Sequence, residues 1–309
     1  MTVRRTEARH PQSNGLHALA AGELAACLFG AQSAALRAIE PALPQICAAA
    51  QAGAAALGAG GKMAYAGAGS SGLMALADCL ELPGTFGIPP DRVPMLFAGG
   101  TSSLLHMTGG VEDDPALAKA DFTRAGLAQG DVVLCLAASG GTPYTLAIAD
   151  LARQAGVVVV GIANVPDCPL LALADIAIVL DTGPELVTGS TRMGAGTAQK
   201  VALNILSVLV GVRLGHVHDG YMVNVTADNA KLIDRATRIV AEVAGISASA
   251  AQTALAASHG AVKAAILIGG GLSAEQASEA LIQSHGHIGP HLSPPQNNRA
   301  KAHQPGVEP

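Results

Sequence analysis

The chain has 309 residues, half of them hydrophobic but only 2% aromatic, and a net charge of −5. That length can bury a large core, and the acidic balance, with no run or stripe of Lys and Arg, leaves no footprint for nucleic acid. Cys27, Cys47, Cys79, Cys135 and Cys168 are odd in number and form no CxxC pair, which argues against a disulfide frame and for thiols of a reducing compartment.

The N-terminus, MTVRRTEARHP, is charged and leads into no apolar leader segment, and no uncharged run reaches membrane-spanning length. A cytoplasmic protein without a membrane partner is therefore expected. Residues 1–15 are polar and read as an extended arm. From Leu16 to about Leu57 the pattern is helical and Ala-rich, interrupted near Pro41 and Pro44. Small residues allow close helix approach, so this region is a candidate subunit contact.

Five short apolar or β-branched runs follow: Met63–Ala66, Val93–Ala98, Val132–Ala137, Val157–Ala163 and Ile176–Leu180. Helical stretches separate most of them, which predicts an α/β fold with a five-stranded parallel sheet covered by helices on both faces. Ligands of such sheets sit at the carboxyl ends of the strands. Beyond Gly220 the strands stop. Asp228–Ala244 reads as an amphipathic helix, and Ser249–Gln252 and Ser273–Gln276 read as capping boxes that start two more, making a small three-helix unit. The Pro-, Asn- and Gln-rich tail from about residue 291 reads as disordered. The expected divisions are 1–45, 46–220, 221–290 and 291–309.

Three segments carry the chemistry. Gly67-Ala-Gly69-Ser70-Ser71-Gly72 follows the first strand and matches GxGxxG. A dinucleotide site also needs an acidic residue ending the second strand, where this chain has Gly99-Gly100. Two adjacent serines suit a phosphate monoester better, and a merely structural turn is the bland alternative. Ser139-Gly140-Gly141-Thr142-Pro143 follows the third strand, with hydroxyls and glycine N–H groups offered to a phosphate or, more plainly, a strand-to-helix turn with Pro at its first position. Glu185–Lys200, ELVTGSTRMGAGTAQK, is a hydroxyl-rich turn (Thr188, Ser190, Thr191) opening into a helix, whose free N–H groups would attract an anion. His285, His287 and His291 cluster without companion ligands, and no metal is expected.

GAGSSG, SGGTP and above all GSTRM followed by AGTAQK resemble the sugar isomerase (SIS) fold, and more narrowly the bacterial N-acetylmuramic acid 6-phosphate etherases. The resemblance runs from Thr6 to about Ala265. It implies cofactor-free cleavage of the lactyl ether of a phosphorylated cell-wall amino sugar during peptidoglycan recycling, by a homodimer. It also implies a phosphosugar held by Gly69, Ser70, Ser71, Ser139, Gly140, Gly141, Thr142, Ser190, Thr191 and Arg192. Glu81 and Glu112 fall on the two catalytic glutamates of that family, Glu81 as the acid that helps lactate leave and Glu112 as the base at C2. A phosphosugar isomerase or a non-catalytic sugar-phosphate sensor could use the same loops. Leu73, Gly141 and Gly194 stand where the family commonly carries Arg, Arg and Lys, leaving Arg192 as the chief cation of these motifs.

Overall fold

The computed structural model describes residues 5–107, 109–227 and 229–292. The tail residues 293–309, and Asp228 at the start of the expected third-unit helix, lie outside the described residues. The chain divides into two compact units between Leu214 and Gly215.

The first unit opens with α1 (Ala21–Ala35) and α2 (Leu43–Gly58). Between them a tight 3-10 stretch holds Pro41, and Pro44 sits in the first turn of α2, where its missing N–H costs nothing. Then follow β1 (Met63–Gly67), α3 (Gly69–Cys79), α4 (Glu81–Phe86), β2 (Met95–Phe97), α5 (Gly100–Leu105), α6 (Pro115–Ala125), β3 (Val132–Leu136), α7 (Pro143–Gln154), β4 (Val158–Ala163), α8 (Pro169–Leu173), β5 (Ile176–Val179) and α9 (Gly194–Arg213). The five strands are parallel in the order β2-β1-β3-β4-β5. Every residue of β1 and β3 is buried, as their unbroken apolar runs require of strands covered on both faces.

Tyr144, Ile148 and Ala152 of α7 and Leu170 of α8 pack one face of the sheet together with Ala64, Val133, Cys135 and Val159. Helices α2, α3 and α9 cover the other. Among the described residues α9 is the one helix long and apolar enough to cross a membrane, and 56% of that stretch is buried inside the protein. Its apolarity belongs to the core of this unit.

The arm differs from the expected extended form. Residues 5–7 and 11–13 coil into single 3-10 turns, because they are tied to the loop before α9: Arg5 pairs with Asp181 at 2.8 Å and Ser13 Oγ donates to Leu186 O at 2.7 Å.

The second unit contains a two-residue hairpin, β6 (Val217–His218) with β7 (Tyr221–Met222), and then α10 (Ala230–Ala244), α11 (Ala248–Ala257), α12 (Val262–Gly269) and α13 (Ala274–Gln283). The three expected helices are joined by a fourth, α12. Its sequence VKAAILIG is almost uniformly apolar and its cap position is Ala261, so neither periodicity nor a capping side chain marks it. The Ser273–Gln276 capping box forms as read. At α11 the cap is Ser247, which accepts from Ala250 N, and not Ser249.

Lys263 on α12 is only 8% exposed, and burial pulls its ammonium down to about 8. The free ammonium titrates near ~10.4, so between those values the unfolded chain binds more protons, and stability rises with pH. Urea melts at about pH 7.5 and about pH 9.5 should therefore show the second unit gaining stability. Lys263→Met should lose most of that gain.

Candidate active site

Three strand ends open into helices on the carboxyl side of the sheet. After β1, Ala68 takes the cap position of α3 without a side-chain bond, and Gly72 N donates to Ala68 O at 2.9 Å. The N–H groups of Gly69, Ser70 and Ser71 lie in the first turn, where helix geometry supplies no carbonyl. Gly69 has φ +54°, a conformation that costs a residue with a Cβ about 1–2 kcal/mol. Ser70 is half-buried. Ser71 is buried, and its Oγ accepts from Ala138 N at 3.2 Å, which ties the first serine loop to the second.

The second loop corrects one expectation. Gly140 N donates to Ala137 O at 2.9 Å and Gly141 N to Ser139 Oγ at 3.3 Å, so neither glycine N–H is offered to a ligand. The loop is a closed turn, with Gly140 at φ +61° and its Cα packed under Cys168. Thr142 caps α7 by position only, leaving its hydroxyl out of the helix's own bonding, and Pro143 follows it. The ring of Tyr144 is fully buried, and its hydroxyl donates to Asp121 Oδ2 at 2.6 Å, fixing the first turn of α7 on α6.

The third segment is corrected more deeply. The N-terminus of α9 already holds an anion, and it is the protein's own. Glu185, 7% exposed, accepts from Gly194 N at 3.0 Å and from Ala195 N at 2.8 Å, one bond to each carboxylate oxygen. Gly196 N and Thr197 N are taken by Thr191 O and Met193 O. This helix end is closed to a phosphate. Its effect is on the loop: Glu185 closes a tight path in which Ser190 and Thr191 are half-buried and Arg192 is exposed.

Glu112 stands in the 3-10 turn Gly109–Asp113, after β2 and α5. Its carboxylate lies against the first residue of α3. A β-carbon added at Gly69 would sit 2.5 Å from Glu112 Oε1 and 3.4 Å from its Cδ. Partial burial, and then the neighbouring Asp113 charge, raise the Glu112 pKa above the ordinary glutamate value. Glu81 begins α4 and is exposed. The partial burial expected from its neighbours holds on one side only, since Leu82 is 1% exposed and Leu80 68%. The structure thus brings Glu112, Gly69, Ser71 and the Ser139 loop together. Glu81 stands at the far end of α3 from Gly69, and Ser190–Arg192 lie on the separate loop before α9.

Two buried polar residues that sequence reasoning passed over hold these walls in place. Asn164, at the end of β4 and fully buried, donates to Leu180 O at 3.2 Å and to Ala195 O at 3.4 Å. It accepts from Gln199 Nε2 at 2.9 Å, while its own N–H meets Ala138 O at 3.0 Å. The side chain therefore joins the ends of β4 and β5 to the start of α9, and the backbone N–H of the same residue adds the end of β3. A polar residue closing an apolar strand run was its only sequence signal. Asp78 on α3 accepts from Tyr65 Oη at 2.8 Å and from Ser207 Oγ at 3.2 Å, and meets Lys200 Nζ at 3.3 Å. Burial raises its pKa against the bonds that stabilise the ion. Lys200 is committed to Asp78 and Asn204.

The chain is 46% identical over 265 residues to an N-acetylmuramic acid 6-phosphate etherase of Deinococcus radiodurans, covering 86% of this chain and 87% of that one. A namesake from Serratia proteamaculans is 44% identical over 263 residues, 85% and 89% of the two chains. The chain belongs to the N-acetylmuramic acid 6-phosphate etherase family. A model of the SIS domain matches residues 29–164. Among solved structures, a phosphoheptose isomerase from Francisella tularensis aligns over 62% of this chain and 97% of its own, at 18% identity and a TM-score of 0.47.

Within this family the three uncharged positions have different surroundings. Leu73 is half-buried on α3 and Gly141 is part of the closed turn. Gly194 is buried, and a β-carbon there would lie 3.0 Å from Ala35 Cβ and 3.2 Å from Glu185 Oε2. A lysine stem at this position would thus start beside the capping carboxylate. Glu185→Gln removes the charge from two hydrogen bonds of ~1.5–3 kcal/mol each. It should lower the stability of the first unit by about 1–3 kcal/mol in urea denaturation, whereas Thr188→Ala, on the exposed part of the same segment, should change it by less than about 0.5 kcal/mol.

Proposed function

We propose that this chain cleaves the lactyl ether of N-acetylmuramic acid 6-phosphate, giving N-acetylglucosamine 6-phosphate and D-lactate. The relatives' shared name supports the substrate. The observation that carries the chemistry is the raised-pKa carboxylate of Glu112 set against the first turn of α3.

The phosphate takes the N-terminus of α3, where Gly69, Ser70 and Ser71 supply N–H groups and hydroxyls, with Ser139 and Thr142 beside them. The sugar reacts as its open-chain aldehyde, whose C2 proton is acidic. Glu112 removes that proton, and the electron pair forms the C2–C3 double bond as the C3–oxygen bond breaks. The departing ether oxygen takes a proton and lactate is released; family likeness, not proximity to Glu112 within the single chain, gives this acid role to Glu81. Water then adds at C3, giving a proton to Glu81, while Glu112 returns its proton to C2. Both glutamates end as they began. A base with a raised pKa accepts a proton more readily than an ordinary carboxylate. Arg192, exposed on the loop before α9, is the cation within reach of the anionic substrate.

The setting completes the proposal: a homodimer acting in the cytoplasm in peptidoglycan and amino-sugar recycling, with neither membrane nor nucleic acid as partner. The ring of Phe29 on α1, 75% exposed in the single chain, supports a second copy covering that helix.

Lactate release from N-acetylmuramic acid 6-phosphate tests the reading. The wild-type protein should turn over, and Glu112→Gln and Glu81→Gln should each lose about 10²–10⁴-fold in kcat. A folded wild-type protein that binds the sugar phosphate without releasing lactate would end it, and ketose–aldose interconversion would favour the isomerase. The acid limb of kcat/KM should lie above the ordinary carboxylate value of ~4.3, because Glu112 must be ionised and its pKa is raised. Gly69→Ala forces Glu112 away, and should lower kcat/KM by about tenfold or more at a stability cost of only about 1–2 kcal/mol.

A further inference from the structure

The N-terminal turns lie along the outside of the loop that leads to Ser190, Thr191 and Arg192. Arg5 Nη1 donates to Asp181 Oδ2 at 2.8 Å, and Ser13 Oγ donates to Leu186 O at 2.7 Å. Between these anchors the Glu7 carboxylate rests on Gly189, with Oε2 3.0 Å from where a β-carbon of that residue would stand. Thr6 is 1% exposed, and its Oγ1 has no hydrogen-bond partner. Three contacts therefore bracket residues 181–189 from one side, while Glu185 ties the same loop to α9 from the other.

The strengths of these contacts point to a local role. An exposed ion pair and a neutral hydrogen bond are too weak to decide the fold of a unit of this size. They are enough to bias one loop between ordered and open forms, since ~1.4 kcal/mol is a tenfold change in population. Thr6 acts in the opposite sense. A buried hydroxyl without a partner weakens the docking of its segment, so the strap is held by its two ends against a cost at its centre.

We infer that Arg5, Glu7 and Ser13 are positioning residues, which hold the loop carrying Arg192 in the geometry that binds the phosphosugar. This rests on the reading of Arg192 as the substrate's cation under the proposed function. The strap touches no reacting atom. It acts through the loop, so it affects substrate capture more than the chemical step.

The test uses the full chain as wild type and as Arg5→Ala, Asp181→Ala, Arg5→Ala/Asp181→Ala, Glu7→Gln, Arg5→Ala/Ser13→Ala and Thr6→Val, with Glu7→Gln expected to speed exchange in the same loop. Amide hydrogen exchange over residues 186–193 is read beside KM and kcat for lactate release. The Arg5→Ala/Ser13→Ala protein should exchange about tenfold faster in this loop, with KM raised about 3–10-fold, kcat within about twofold, and the thermal midpoint within a few degrees of wild type. Arg5→Ala and Asp181→Ala should have equal effects that do not add when combined, as expected if Arg5 works through the ion pair and not by touching substrate. Thr6→Val, which removes the unpaired hydroxyl and keeps the shape, should exchange no faster than wild type. Unchanged loop exchange in Arg5→Ala/Ser13→Ala would overturn the assignment, as would a matched loss of kcat and thermal midpoint. If wild type releases no lactate, the exchange data still decide whether the strap holds the loop, and only the reading of the site falls.

Discussion

The site depends on one close approach, that of the Glu112 carboxylate to the first residue of α3. The gap is filled by glycine: a single methyl group at position 69 would press on Glu112 Oε1. Because β1 ends at this point, a short turn can leave the sheet, enter α3 at positive φ and still leave room for a carboxyl group overhead. The helix end proposed for the phosphate and the carboxylate proposed as the base are thereby brought together. Burial raises the proton affinity of Glu112 where that helps a base, and the bond from Ala138 N to Ser71 Oγ carries the same rigidity to the next strand.

An acidic chain that handles an anionic substrate must hold it with local dipoles, and the structure distributes these unequally. Among the helices that start at these loops, the first-turn N–H groups of α3 have no helical carbonyl to meet, whereas α9 spends its own on Glu185. The anion bound at α9 is permanent, so its charge shapes a loop in place of gripping a phosphate. Asn164 completes the frame. A fully buried amide bonded to the end of β5 and to α9 fixes their spacing more firmly than apolar contacts alone, because each unmade bond there would cost about 1–3 kcal/mol.

Much of this was legible in the chain, and the limits have physical causes. The unbroken apolar runs of β1, β3 and β4 announced a parallel sheet, because only strands covered on both faces can be apolar throughout. The serine loops were legible because glycine and hydroxyl residues directly after a strand have few other uses. Glu112 was not: Glu-Asp-Asp in a loop reads as a solvated turn, and only family likeness singled it out. The role of Glu185 was hidden because its partners lie nine and ten residues on, across an irregular loop with no period to read. Gly140 and Gly141 misled in the opposite way, since whether a loop N–H is free depends on how the turn closes. The uniform apolarity of α12 concealed a helix for the same reason that it revealed the strands.

The central claim is that the ether breaks at C3 by elimination and that water restores the sugar. The direct measurement is the reaction in ¹⁸O-labelled heavy water, followed by mass spectrometry of both products. Elimination and hydration across Glu112 predict one ¹⁸O at the C3 hydroxyl and one deuterium at C2 of N-acetylglucosamine 6-phosphate, with none of the ¹⁸O in lactate. Both labels should disappear together in Glu112→Gln. Appearance of ¹⁸O in the lactate, or labelled sugar formed at the wild-type rate by Glu112→Gln, would contradict the account.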